Sequence, residues 1–141
     1  MKYKFFPHTA DVMFEAYGKT LEQLFENAAL ATESTMVETD SIKSREHYEI
    51  LQESDDLEDL LYNFLSELIF LKDTEGLLFN KFEITIHHKN KKYEIFAICY
   101  GEKINRDKHK LIDDAKAVTM HEFVLEQKEN KTWFAKVIID I

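Results

Sequence analysis

A chain of 141 residues with 45% hydrophobic and 13% aromatic content holds enough apolar material for one packed core, so a single domain over residues 1–141 is expected. Its 27 Asp plus Glu against 18 Lys plus Arg give a net charge of −9, concentrated in residues 1–75 (17 acids, 6 bases) and absent from residues 76–141 (10 acids, 12 bases), which argues against strong direct nucleic-acid binding. Three Gly and one Pro leave no room for a glycine-rich phosphate loop, no apolar run reaches membrane-spanning length, no signal-peptide core precedes Pro7, and the lone Cys99 permits neither an internal disulfide nor a thiolate metal cage, all of which suits a cytoplasmic protein.

In chain order, Val12, Phe14 and Ala16 alternate with Glu15 as in a half-buried strand, which Gly18 stops. Thr20 and Gln23 then form a capping box ahead of Leu21, Leu24, Phe25, Ala28 and Thr32, a helical stripe running toward Met36. Residues Ile42 to Gln52 alternate thinly and read as a polar edge strand ending at Ile50 and Leu51. A second helix carries Leu57, Leu60, Leu61, Phe64, Leu65 and Leu68 on one stripe, with Asp55 as its expected cap and Gly76 as its stop. Asp55, Asp56, Glu58 and Asp59 crowd its first turn, where negative charge suits the helix dipole and needs no functional explanation. Strands follow at Phe82 to Ile86, Tyr93 to Tyr100, Ala115 to Gln127 and from Trp133 onward, with polar turns at Lys89–Lys92 and Lys128–Lys131. Hairpin-linked strands with two helices describe an α+β fold whose helices pack on a largely antiparallel sheet.

Two segments break local rules. His8-Thr9-Ala10-Asp11 is a polar break between an aromatic run and a strand. His8 and Asp11 can ligate a divalent ion or act as an orienting pair, whereas the spacing alone favours an Asx-turn. At the other end, Val137 to Ile141 is an apolar strand with no polar tail, so Asp140 and a terminal carboxylate sit together as like charges. A hard divalent cation would relieve them, and so would solvent at an exposed end. The remaining histidines say less. His87 and His88 point to opposite faces, His109 in Lys108-His109-Lys110 reads as solvated, and His121 reads as a sheet-face residue sharing a side with Ala117, Thr119 and Phe123, with a site role open beside Lys116. No Ser or Cys nucleophile has a recognisable partner motif.

Phe5-Phe6-Pro7-His8-Thr9-Ala10-Asp11-Val12, Lys116-Ala117-Val118-Thr119 and Val137-Ile138-Ile139-Asp140-Ile141, with Tyr17-Gly18 and Asp55-Asp56-Leu57 between them, resemble the signature segments of the archease family. Met120-His121-Glu122-Phe123 follows that pattern only loosely. The resemblance implies an archease-like sandwich and a non-enzymatic activator of the GTP-dependent tRNA-splicing RNA ligase, promoting ligase guanylylation and repeated turnover. It also implies an alternative role, a chaperone-like module modulating a tRNA cytosine methyltransferase. Carried over residue by residue, it implies a divalent-metal site of Asp11, Asp140 and the main-chain carboxylate of Ile141, with His8 and Lys116 as accessory candidates and no catalytic residue. Calcium is the expected ion, with magnesium or manganese as substitutes, and the strands carrying Asp11 and Asp140 are expected to lie side by side. A metal-dependent hydrolase working through His8 and Asp11 is the minor competing reading.

Overall fold

The computed structural model describes residues 1–6 and 11–141. Among these the chain forms strands β1 (Tyr3–Phe6) and β2 (Asp11–Gly18), helix α1 (Leu21–Met36), a 3-10 turn at Thr39–Ser41, strand β3 (Glu46–Ser54), helix α2 (Leu57–Glu75), and strands β4 (Leu77–Lys89), β5 (Lys92–Lys103), β6 (Ala117–Gln127) and β7 (Trp133–Asp140). The architecture is α+β, as expected, but the strands divide into two antiparallel sheets, ordered β1-β2-β7-β6 and β3-β5-β4.

Helix α1 contacts β2 and β7 of one sheet and β4 of the other, which explains why it is buried nearly all round. Small residues Ala28, Ala29 and Ala31 let it approach both sheets, and Thr32 and Thr35 satisfy their hydroxyls on the carbonyls of Ala28 and Ala31 at 2.9 and 3.0 Å. Asn27 donates to the Tyr17 carbonyl at 2.6 Å, while Glu33 accepts from the Phe79 N–H at 3.0 Å, so polar side chains tie the helix to each sheet. Thr20 caps the helix by accepting from the Gln23 N–H at 3.1 Å, and the Gln23 side chain reaches back to the Lys19 N–H at 2.6 Å.

Helix α2 buries Leu60, Leu61, Phe64, Leu65 and Leu68 against both sheets, each worth about 1.5–3 kcal/mol of apolar transfer. Its cap is Asp56, which accepts from the Asp59 N–H at 2.8 Å, one residue later than Asp55, because the helix begins at Leu57. Gly76 ends it at φ 65, a left-handed conformation that favours glycine. Asn90 and Lys91, at φ 53 and 63, form the two-residue turn between β4 and β5.

Several boundaries differ from the sequence reading. Tyr3 to Phe6 pair with β2 as an edge strand, β3 starts at Glu46 because Ile42 is buried against Val37 and Leu78 while the Ile42 carbonyl and Lys43 N–H bond the Asn80 and Glu102 side chains, β4 starts at Leu77, and Ala115 precedes β6. His109 is buried at 4% exposure instead of solvated, because the loop after β5 folds its ring onto Glu102. His121 lies in a bulge between Thr119 and Val124, where Glu122 has φ 52, and its side chain is 73% exposed, so it does not share the sheet face as expected.

Candidate functional site

Strand β2 pairs antiparallel with β7 in a register that sets Val12 against Ile139, Phe14 against Val137, and Asp11 directly opposite Asp140. Phe14, Val137 and Ile139 are fully buried toward the helices. Strand alternation therefore turns Asp11 and Asp140 to the opposite face, at the end of the sheet. Side chains directly opposite in such a pair have Cβ atoms about 4.5–5.5 Å apart, close enough for one ion to touch both carboxylates. Two residues almost a chain length apart are thus neighbours.

The surroundings come from β6, the residue before it and Ile141. Asp140 is flanked on its other side by Ala117, and its carbonyl accepts from the Lys116 N–H at 2.8 Å, while the Thr119 hydroxyl donates to the Ile138 carbonyl at 3.0 Å. Lys116 is therefore beside the pair through its backbone, with its side chain exposed. Ile141 packs its side chain against the core, which anchors the residue next to Asp140. His8 lies outside the described residues. Among the described residues no group of three His, Cys, Asp or Glu side chains assembles to hold a metal, so a third donor from the described chain would be a main-chain oxygen such as that of Ile141. An all-oxygen donor set of this kind suits a hard cation and not a thiolate-seeking one.

Two further ionisable centres escaped the sequence reading. Glu102 accepts from Lys108 Nζ at 2.7 and 2.6 Å, from the Lys43 N–H at 2.7 Å and pairs with His109 Nε2 at 2.9 Å and Arg45 Nε at 3.3 Å. Burial opposes its ionisation, yet Lys108, His109 and the Lys43 N–H outweigh it and hold the carboxyl down at about 2. Because His109 Nδ1 accepts from the Asn105 N–H at 2.8 Å, its proton sits on Nε2 and points to Glu102. This hub pins the loop after β5 to the lead-in of β3. The second centre is Glu33, fully buried in α1, whose Oε2 has no partner among the described residues. Its sequence signal is a charged residue three positions before Met36 and four after Ala29, beside apolar positions of the helix. Cys99 is buried as expected, and burial with Glu33 nearby pushes its thiol up to about 12, so it is chemically quiet.

Two opposed carboxylates at the end of one sheet, on an α+β scaffold with two helices packed between two antiparallel sheets, are the features that place the chain among known proteins. The archease protein family model matches residues 3–141. Similar chains include the archeases of Pyrococcus abyssi, 38% identical over 99% of both chains, and of Methanosarcina mazei, 40% identical over 99% of this chain and 96% of that one. The solution structure of a Methanobacterium thermoautotrophicum protein superposes with a TM-score of 0.86 at 38% identity, covering 99% of this chain and 98% of that one. The crystal structure of an archease described as a possible chaperone, from Thermotoga maritima, shares the fold at TM-score 0.62 and 22% identity, covering 98% and 96%. The chain belongs to the archease family. Among the described residues no helix is long and apolar enough to cross a membrane.

Proposed function

We propose that this protein activates a GTP-dependent tRNA-splicing RNA ligase, raising the rate of ligase guanylylation and allowing repeated turnover, while joining no RNA ends itself. Membership of the archease family supports the reading, and one geometric observation carries it: the β2–β7 register with Asp11 facing Asp140 on the side of the sheet opposite Phe14, Val137 and Ile139. In this reading Asp11, Asp140 and the Ile141 carboxylate hold one divalent ion, calcium by preference and magnesium or manganese as substitutes. Such an ion supplies positive charge that offsets phosphate charge when presented to a nucleotide. The protein's own part is to hold three oxygens at a sheet end, with the Ile141 side chain locked in the core and the Lys116 N–H fixing the Asp140 backbone.

The test is single-turnover guanylylation of the cognate ligase with GTP, with and without this protein. Wild-type protein should raise the rate, and Asp11→Ala or Asp140→Ala should abolish the rise while leaving the melting temperature within a few degrees in metal-free buffer. Full stimulation by either variant removes the carboxylate pair from the function. Extra residues after Ile141 should impair stimulation as well, since they convert the carboxylate into an amide; a harmless tag rules that oxygen out. The chaperone-like reading, modulation of a tRNA cytosine methyltransferase, draws on the Thermotoga maritima protein described as a possible chaperone. It predicts altered methyltransferase solubility or site choice that both alanine variants still produce.

A further inference from the structure

The helices cover only one face of the three-stranded sheet. On that face Ile50, Ile95, Ala97, Cys99 and Phe82 are buried at 4% exposure or less. On the other, Leu51 is 66% exposed and lies directly across from Phe96, itself 37% exposed, and Ile98 follows two residues along β5. Four glutamates outnumber the cationic groups around this apolar trio, where Lys81 sits over the Tyr100 ring at 5.1 Å and His87 stands opposite Glu94. Glu49 and Glu83 flank Ile98 from the two neighbouring strands, and Glu53 and Glu94 face each other one pleat beyond Leu51 and Phe96. Among the described residues none of these four glutamates forms an ion pair, and Glu83 lies near the Tyr100 hydroxyl, whose pKa it raises. The lysines of the β4–β5 turn lie past this ring, with Lys92 paired to Asp55.

We propose that this open face, an apolar trio ringed by four glutamates, docks a basic amphipathic helix of a partner protein. Apolar side chains on a sheet face opposite the core, grouped and rimmed by charge, mark an interaction surface. The rim selects the occupant. Phosphates of a nucleic acid or side chains of an acidic segment would meet four carboxylates, and a second copy placed about a two-fold axis would oppose the same ring to itself. A helix with Leu-type anchors on one side and Lys or Arg beside them satisfies both chemistries. Size agrees: three strands span about 10 Å across, and His47 to Glu53 runs about 20 Å, the footprint of a helix some 13 residues long. This surface lies on a different sheet from the Asp11–Asp140 pair and stands whether or not that pair holds an ion.

The probe is a synthetic amphipathic helix of about 14 residues with leucines on one side and lysines on the other, titrated into the 15N-labelled full chain. Amide shifts should cluster on residues 47–53, 81–87 and 94–100, and affinity should fall at least tenfold between about 50 and 300 mM salt. The Leu51→Ser/Phe96→Ser double variant should weaken binding at least tenfold, and so should Glu49→Lys/Glu94→Lys. Glu58→Lys/Asp59→Lys, at the acidic start of α2, should leave it within twofold. Because all the substituted side chains are exposed, unchanged amide spectra elsewhere confirm folding, and the wild-type shift map tests the proposal even if a variant misfolds. Shifts centred on α2, equal binding of a leucine–glutamate helix, or unaltered affinity of the Leu51/Phe96 variant would each overturn it. Self-association in sedimentation that the Leu51→Ser/Phe96→Ser variant abolishes would assign the face to a second copy and overturn it too.

Discussion

Replacing Glu33 by Gln should make the protein more stable at neutral pH, although the wild-type side chain makes a hydrogen bond that spans two elements. Glu33 is fully buried, its Oε1 accepts from the Phe79 N–H at 3.0 Å, and its Oε2 has no partner among the described residues. Burial pushes its carboxyl up from 4.5 to about 8, against the Phe79 N–H and Lys72, which favour the charged form. In the unfolded chain the same group ionises near its ordinary value. Between these two values the folded state holds a proton that the unfolded state has released, so stability is full below 4.5 and declines as pH rises through about 8. At about 1.4 kcal/mol per pH unit, the decline amounts to about 3 kcal/mol by pH 7. Gln keeps the volume and the carbonyl that receives the Phe79 N–H but has no proton to lose. The difference between Gln and wild type should therefore be near zero at pH 4.5, grow to about 3 kcal/mol by pH 7 and about 4 kcal/mol by pH 8, and level off above that. Urea denaturation followed by fluorescence of the single tryptophan, Trp133, measures it across that range as a midpoint shift of about 1 M or more. A difference that is flat with pH, or a Gln variant less stable at pH 8, refutes the assignment of Glu33 as a neutral core carboxyl.

Glu102 has the opposite sign. With its carboxyl held at about 2, its contribution is present above 4.5 and fades as pH falls toward 2, so Glu102→Gln should cost about 2 kcal/mol at pH 7 and much less at pH 3 in matched denaturation curves. Gly101→Ala should destabilise by about 3 kcal/mol or more, since an added Cβ would overlap the Leu78 carbonyl oxygen; thermal melts check this, and a loss under 1 kcal/mol contradicts the close approach. Asp56→Ala should cost about 1 kcal/mol through the lost cap of α2, while Asp55→Ala should change stability by less than half as much, and equal effects would undo the cap assignment.

The sequence showed most clearly those features that depend on near neighbours. The leucine stripe of α2, the Thr20–Gln23 cap, the Gly76 stop and the Lys89–Lys92 turn are all set within a few residues, and the structure has them. Features made by distant contacts read poorly. His109 between two lysines looks solvated until Glu102 arrives beneath it, and His121 looks like a sheet-face residue until the bulge rotates it outward. Tyr3 to Phe6 is too short to announce a strand without β2 beside it. The candidate site was legible as two separate irregularities, Asp11 after a polar break and Asp140 in an apolar strand. That they face each other follows from the β2–β7 register, which no local pattern encodes and which only the family resemblance suggested.

The strand order has a consequence for how the chain folds. The β4–β5 hairpin joins residues close in sequence and can zip as soon as both strands exist. The other sheet has to wait, because β7, the last strand in chain order, sits in its middle between β2 and β6. Until β7 inserts, β2 presents a bare edge of backbone donors and acceptors beside Phe14 and Ala16, open to any passing strand. The step that brings Asp11 to Asp140 is therefore also the step that closes the window for aggregation. Substitutions that slow β7 docking should lower the yield of native protein even when its final stability is unchanged.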